Sequence, residues 1–494
     1  MKAKTFPGGF WFRKYRGQPV DTLINIGVPS QVIIPLSQGF GSSCEPLVKK
    51  GDMVKAGQII ARDDASISSP IHSSANGNVR AVVKMNYFKR EVGMVVIDTD
   101  GTDSIERLDG HSPAWEKLSA EQLEELLYLS GVTALDREGI PTRFRSSIIM
   151  PEEVEDLIIH GACSETYNIS LELLLKGKNL FNFVNGIKIL KKIMSKAHVH
   201  LALSKEKTDL IEKIQKLVSH MENFTIHPVV PKYPQGYDEV LIPTLLAKKF
   251  PYGYSAANIG VVVLNIQAVL HAFEAVTEGI PVIERTMALC GPSFRENIHV
   301  KVRIGTPLEY IVKGRVTDEP SRLVINSLLT GIELNDLFLP IDKAFSQIIG
   351  MPEDAHREFL TFVRPGMRRD SYSRSFASFF LNAKKLCGTN LQGEERPCFQ
   401  CGYCVEVCPV KILPTLINRH IRLGIDENLM KHGIFNCIDC NLCSYVCPSK
   451  IPLAKNLKEA KSKLVDSGCD HSLCILPRFN LKGLEEYNGV KSIR

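Results

Sequence analysis

Cys398-Phe399-Gln400-Cys401-Gly402-Tyr403-Cys404-Val405-Glu406-Val407-Cys408-Pro409 and Cys437-Ile438-Asp439-Cys440-Asn441-Leu442-Cys443-Ser444-Tyr445-Val446-Cys447-Pro448 share one spacing, C-x2-C-x2-C-x3-C-P. They are the clear internal repeat of a chain of 494 residues. Three cysteines at two-residue gaps let a short loop wrap one [4Fe–4S] cubane while backbone N–H groups turn towards its sulfurs, and the fourth cysteine is expected to start a helix that leads away. Each proline after a fourth cysteine fixes the turn that aims the thiolate inward. Zinc asks for two C-x2-C pairs rather than a run of three followed by C-P, so a pair of zinc sites is set aside.

The spacing is that of the bacterial two-cluster ferredoxins, in which the fourth cysteine of each run ligates the other cluster. The pattern then assigns Cys398, Cys401, Cys404 and Cys447 to one cluster, and Cys437, Cys440, Cys443 and Cys408 to the other. Two adjacent clusters read as a wire, with clusters that only stabilise the fold as the alternative. Between the runs a helix is expected over 413–423 with a turn at Gly424. Fourteen cysteines in all, eight in tight runs and six scattered, point to metal ligation in a reducing compartment rather than to disulfides. The scattered six, Cys44, Cys163, Cys290, Cys387, Cys469 and Cys474, read as ordinary thiols, because free cysteine packs as a small hydrophobe.

Length implies about three or four domains. The apolar fraction of 44% and charged fraction of 23% are those of a globular chain. A net charge of +6 is too dilute to argue for nucleic acid, though a mildly basic face suits an acidic partner such as a ferredoxin. The most apolar stretch, 259–276, is interrupted by Asn265, Gln267 and His271 and falls short of a spanning helix, and the first residues have no apolar signal core.

Residues 29–105 read as β-rich, with apolar runs separated by Gly, Asp and Asn turns. The stretch 48–60 (VKKGDMVKAGQII) and then 69–79 (SPIHSSANGNV) resemble a lipoyl or biotinyl barrel. The segment after the strand, Arg62-Asp63-Asp64-Ala65-Ser66, has no lysine to carry a cofactor, so a structural or docking barrel is expected. Residues 110–290 alternate helix signals (120–129, 187–196, 205–221) with strand signals (157–159, 198–203, 259–264), which predicts an open α/β sheet of nucleotide-binding type. Residues 291–350 return to short strands, and from Phe376 onward the pattern is helical and cysteine-rich.

Taken in order, these segments resemble the RnfC family, the C component of the Rnf ion-translocating ferredoxin oxidoreductase complex. The resemblance is carried by Phe6-Pro7-Gly8-Gly9, Ile34-Pro35-Leu36-Ser37-Gln38, Pro70-Ile71-His72-Ser73-Ser74, Lys232-Tyr233-Pro234-Gln235-Gly236, Asn258-Ile259-Gly260-Val261-Val262-Val263, Ile283-Glu284-Arg285, Arg303-Ile304-Gly305-Thr306-Pro307 and the two cysteine runs. It implies a multidomain α/β plus β chain. The expected order is an N-terminal extension (1–28), a lipoyl-like β barrel (29–105) and an α/β domain like the flavin subunit of complex I (110–290). An SLBB, β-grasp-like module (291–350), a helical two-cluster ferredoxin domain (365–465) and a tail (466–494) follow. It also implies a peripheral electron-transfer subunit of a translocase on the cytoplasmic face of the membrane, with ferredoxin, a ferredoxin-like subunit and membrane subunits as partners.

In such relatives the α/β domain holds FMN and meets NADH, and the loop G-L-G-G-A-G-F-P-T cradles the flavin phosphate. Here the matching stretch is Ala134-Leu135-Asp136-Arg137-Glu138-Gly139-Ile140-Pro141-Thr142, with one glycine left and two carboxylates added. The next motif, N-G-A-E-C-E-P-Y, appears as His160-Gly161-Ala162-Cys163-Ser164-Glu165-Thr166-Tyr167. The expectation is therefore two [4Fe–4S] clusters without FMN or NADH and an acceptor other than NAD. His160, Glu165 and Lys232 are then expected to be remnants of a site or structural polar groups rather than catalytic ones. The alternatives are an FMN-binding, NADH-oxidising subunit and an adapter that feeds a soluble reductase.

Overall fold

Three of the four strands in the middle of the chain lie where the alternation of signals places them, and Phe224–Val229 is an added edge strand that the alternation does not mark. Asp156–Gly161, His198–Ser204, Phe224–Val229 and Val261–Asn265 pair only in parallel, the first of them lying between the second and the fourth. One face buries Leu157, Ile159, Val199 and Leu201 against Lys178–Ile193 and Ile266–Glu278. The other buries Ile158, Ala202, Val229 and Val263 against Leu241, Ile242 and Leu245 of Asp238–Leu246. The sheet order reverses between Asp156–Gly161 and Val261–Asn265, and a crevice at such a point is where open sheets bind ligands. The computed structural model describes residues 2–12, 19, 21–38, 43–63, 69–132, 154–162, 165–250, 252–353 and 395–469. The altered glycine loop 134–142, Cys163, Cys387, Cys474 and the helical pattern from Phe376 to residue 394 lie outside them.

Ahead of this sheet, Gln31–Pro35, Met53–Val54, Gly77–Tyr87 and Arg90–Thr99 form one antiparallel sheet. Glu45–Pro46, Ile59–Arg62 and Ile71–His72 form a second. Val32, Ile34, Ile60, Val79, Val95 and Ile97 close the core between them. Gly57 sits at φ +94° with its Cα against the Glu106 carbonyl, a place that any Cβ would occupy at 2.2 Å from oxygen. The long hairpin ends in Phe88 and Lys89, both at positive φ, and reaches the next module through Tyr87, whose hydroxyl lies 3.0 Å from Asp342 Oδ2.

That next module is a six-stranded sheet that runs across two of the expected boundaries. Glu284–Cys290 pairs antiparallel with Ile298–Arg303, in register from Glu284 opposite Arg303 to Leu289 opposite Ile298. Leu23–Asn25, from the expected extension, lies parallel on the far side of Ile298–Arg303. Gln347–Pro352, Ser321–Ile325 and Ile332–Glu333 complete the sheet. Its continuity follows from alternation: Met287, Leu289, Val300, Val302 and Ile348 enter one core, while Ala288, Cys290 and Ile349 enter another.

The cysteine-rich end is helical. Pro414–Leu423 packs through Ile417 on Leu457 and Ala460 of Leu453–Asp466, and ends on Gly424 in the left-handed conformation, as the sequence predicts. One detail differs. The helix does not start at the fourth cysteine but at Pro414 and Leu453, because the chain must first turn its N–H groups back onto that sulfur.

Candidate functional site

Each cysteine run is bent by the same backbone device. Gln400 and Asp439 have φ of +57° and +55°, Gly402 and Asn441 +80° and +63°, and Lys411 and Lys450 +58° and +56°. Alternating left-handed residues turn successive N–H groups to one side of the chain and make an anion-binding concavity. Here that side carries the sulfurs. Gln400 N–H donates to Cys398 Sγ at 3.4 Å. The Asp439 and Leu442 N–H groups face Cys437 and Cys440 in the same way. Val410, Lys411 and Ile412 serve Cys408, and Ser449 and Ile451 serve Cys447. Two one-turn helices, Tyr403–Glu406 and Leu442–Tyr445, carry the chain from the second cysteine of each run towards the fourth.

The charge neighbours of each thiol divide across the two runs, while no group of three or more His, Cys, Asp or Glu side chains among the described residues is close enough to hold a single metal ion. Burial pushes the Cys404 thiol up to about 11, and Cys401, Cys447 and Cys398 are the thiols that repel charge on it. Burial likewise raises Cys440, next to Cys437 and Cys408, and raises Cys443, next to Cys437, Cys440 and Cys408 and then Cys404. The stretch before Cys398 is tied to the loop after Cys447 by Arg396 N–H to Ser449 O at 2.8 Å and by Ser449 Oγ to Pro397 O at 3.0 Å. Four thiols with N–H groups facing sulfur suit a four-iron group, whose anionic sulfur would otherwise be costly to bury. In the four that include Cys447, Cys398 and Cys401 are exposed and Cys404 is buried, whereas in the four that include Cys408, Cys408 and Cys440 are buried and none is exposed, so the former reach solvent through Cys398 and Cys401.

An aromatic seat holds the second run. Tyr233 donates to Cys440 O at 2.8 Å and its hydroxyl lies 2.7 Å from that of Tyr237. Asn441 Nδ2 donates to Leu329 O at 2.8 Å. Phe6 and Phe12 pack with these tyrosines, Val407, Ile438 and Leu442. The Phe6-Pro7-Gly8-Gly9 stretch is thus a strap rather than a loose extension. Gly9 N–H donates to Val407 O at 2.8 Å, and Lys232 Nζ donates to Gly8 O at 2.7 Å and also to Phe6 O. Lys232 and Gly8 are functional in this structural sense, and only long-range pairing reveals it.

At the crevice where the parallel sheet reverses, His160 is half-buried and loss of solvent pushes it down to about 4, so it is neutral at pH 7. Glu165 Oε2 accepts from Ser327 Oγ at 3.0 Å. Loops that follow Asp156–Gly161 and Phe224–Val229 hold two buried polar side chains, Thr166 and Gln235, whose hydroxyl and amide atoms have no hydrogen-bond partner among the described residues. Of the scattered cysteines, Cys44 and Cys290 are buried in apolar cores that raise their thiols to about 11 and about 12, which fits the ordinary packing expected of them.

Comparison with known proteins matches three separate stretches. Residues 4–102 match the RnfC barrel sandwich hybrid domain, residues 128–274 the Nuo51 FMN-binding domain, and residues 397–452 a 4Fe-4S dicluster domain. The chain is 25% identical over 469 residues to the C component of the Na(+)-translocating ferredoxin:NAD(+) oxidoreductase complex of Acetobacterium woodii, covering 94% of this chain and 98% of that one. It is 26% identical over 421 residues to the C component of the proton-translocating ferredoxin:NAD(+) oxidoreductase complex of Clostridium ljungdahlii, 84% of each. It is 28% identical over 448 residues to the C component of the ion-translocating oxidoreductase complex of Rhodobacter capsulatus, covering 88% and 78%. A solved NAD+-reducing [NiFe]-hydrogenase in the H2-reduced state aligns with 12% identity over 80% of this chain and 71% of that one, at a TM-score of 0.44, too low to carry an argument.

Proposed function

We propose, for a chain that resembles the C component of Rnf-type oxidoreductase complexes along most of its length, the role of peripheral iron–sulfur electron-transfer subunit. Cys398, Cys401, Cys404 and Cys447 hold one [4Fe–4S] cluster, and Cys408, Cys437, Cys440 and Cys443 hold the other. The observation that carries this reading is the repeated C-x2-C-x2-C-x3-C-P spacing with backbone N–H groups turned onto its sulfurs, and the charge neighbours of the thiols support the crossing. When bound, such clusters supply outer-sphere one-electron transfer, which needs no acid, base or nucleophile from the chain. The chain supplies the ligands, the N–H groups that steady anionic sulfur, and an aromatic seat that excludes water from the second cradle. The solvent-facing cradle is the side on which a ferredoxin-like subunit or ferredoxin delivers electrons. Ferredoxin oxidation is coupled to ion translocation in the membrane subunits, on whose cytoplasmic face this chain docks. No helix among the described residues is long and apolar enough to cross a membrane.

The altered loop 134–142 supports an acceptor other than NAD, since a phosphate cradle needs glycines at close approach and Asp136 and Glu138 oppose an anion. A second reading has its own support. The unpartnered amide of Gln235 and hydroxyl of Thr166, both buried in loops that follow strands of the parallel sheet, are what a retained polar ligand such as FMN would satisfy, and the 128–274 match is to an FMN-binding domain. Chemical analysis of the anaerobically purified chain separates the two. About eight irons and eight sulfides without flavin are expected. Stoichiometric FMN would hand the site to the second reading, and the absence of iron would end both.

A further inference from the structure

The two cradles share a backbone but not a set of charges. Every cysteine of the first run has its counterpart 39 positions on, 398 to 437 through 408 to 447. The same offset carries Gln400 to Asp439 and Arg422 to Lys461. Arg422 lies on Pro414–Leu423, with its side chain 52% exposed, and pairs with Glu395 at the surface. Lys461 lies on Leu453–Asp466, with its side chain 2% exposed. Its ammonium donates to Cys437 O at 2.9 Å and to Asp439 Oδ2 at 2.7 Å, under the Tyr252 ring at 5.1 Å. Asp439 in turn places Oδ1 at 3.6 Å from Cys437 Sγ. The second cradle therefore has a fully buried cation and a carboxylate directly behind one of its sulfurs, whereas the first has a polar amide, a solvated pair and, facing Cys447, the half-buried ammonium of Lys450, whose counterpart Lys411 faces Cys408.

Reduction adds one negative charge to a cradle, and burial alone makes that charge harder to accept because water no longer stabilises it. A cation in low dielectric opposes this strongly, whereas a solvated one is screened. We propose that Lys461 and Asp439 tune the potential of the centre held by Cys408, Cys437, Cys440 and Cys443 in opposite directions, the ammonium raising it and the carboxylate lowering it. Neither residue is a ligand. Lys461 offsets the loss of solvent around the inner centre and keeps its potential close enough to that of the outer one for electrons to pass both ways. This rests on the cluster assignment proposed above.

Potentiometric titration of the anaerobic full-length protein, followed by electron paramagnetic resonance, tests it. In Lys461→Met one of the two midpoints falls and the other stays. In Asp439→Asn the same midpoint rises. Arg422→Met leaves both in place. An unmoved midpoint in either of the first two variants, or shifts of the same sign in both, would overturn the tuning role, since hydrogen bonding to Cys437 O alone changes stability and not the sign of a potential shift. If Lys461→Met does not fold, Asp439→Asn decides alone, a rise supporting the proposal and no rise refuting it. A wild type with two reducible centres and unresponsive variants defeats this inference only. A wild type without two such centres defeats the cluster assignment as well.

Discussion

At the residue scale, the two cysteine runs were legible because ligand spacing is a local property, and the crossed assignment, carried over from the two-cluster ferredoxin pattern, is the proposal that mutation of a fourth cysteine tests. Its test is asymmetric. Cys408→Ser is expected to lower iron from about eight to about four per chain and to remove the inner centre, although residue 408 belongs to the first run. Cys447→Ser is expected to remove the outer one. Loss of the centre belonging to the mutated run itself, read from which potential and spectrum survive, would contradict the crossing. Lys461, Asp439 and the left-handed residues around the sulfurs were not legible. A lysine on an amphipathic helix reads as solvated, and only the packing of Leu453–Asp466 against the second run buries it.

At the element scale, sequence succeeded where an element is closed by its own neighbours. Ala120–Leu129 starts after Ser119, whose hydroxyl and Gln122 form a capping box, and the expected 120–129 is what the chain adopts. Pro414–Leu423 is bounded by a proline and a glycine in the same local way. Sequence failed where pairing is long-range. Nothing near residue 290 tells that Glu284–Cys290 will join Ile298–Arg303, or that Leu23–Asn25 will extend the same sheet. The strap is the clearest case. Gly8 has φ +68°, and an added Cβ would stand 2.5 Å from Cys408 O and 2.8 Å from Val407 O. Gly8→Ala is therefore expected to lose about 1–3 kcal/mol of stability. Thermal denaturation monitored alongside iron content should show the inner centre lost before the outer one. Wild-type stability in that variant would mean the strap does not hold the loop that carries Cys408.

At the scale of the whole molecule, the inner cradle is pressed between the strap, the Tyr233–Tyr237 loop, the 327–331 turn and Leu453–Asp466, while the outer cradle buries Cys404 against Leu453 and meets solvent at Cys398 and Cys401. Under the proposed cluster assignment, a one-electron path would have an exposed end at Cys398 and Cys401 and a buried end at Cys408 and Cys440. The α/β domain keeps the layered form and the crevice of a nucleotide-binding domain, and its altered loop, outside the described residues, is where the sequence departs most from the flavin-binding pattern. The most direct measurement is anaerobic reductive titration of the purified chain, first with NADH and then with reduced ferredoxin, following the iron–sulfur absorbance. No bleaching with NADH and reduction of both centres with ferredoxin are expected. Bleaching by NADH in protein that carries FMN would contradict the loss of the nucleotide site, and failure of ferredoxin to reduce either centre would contradict the electron-transfer role itself.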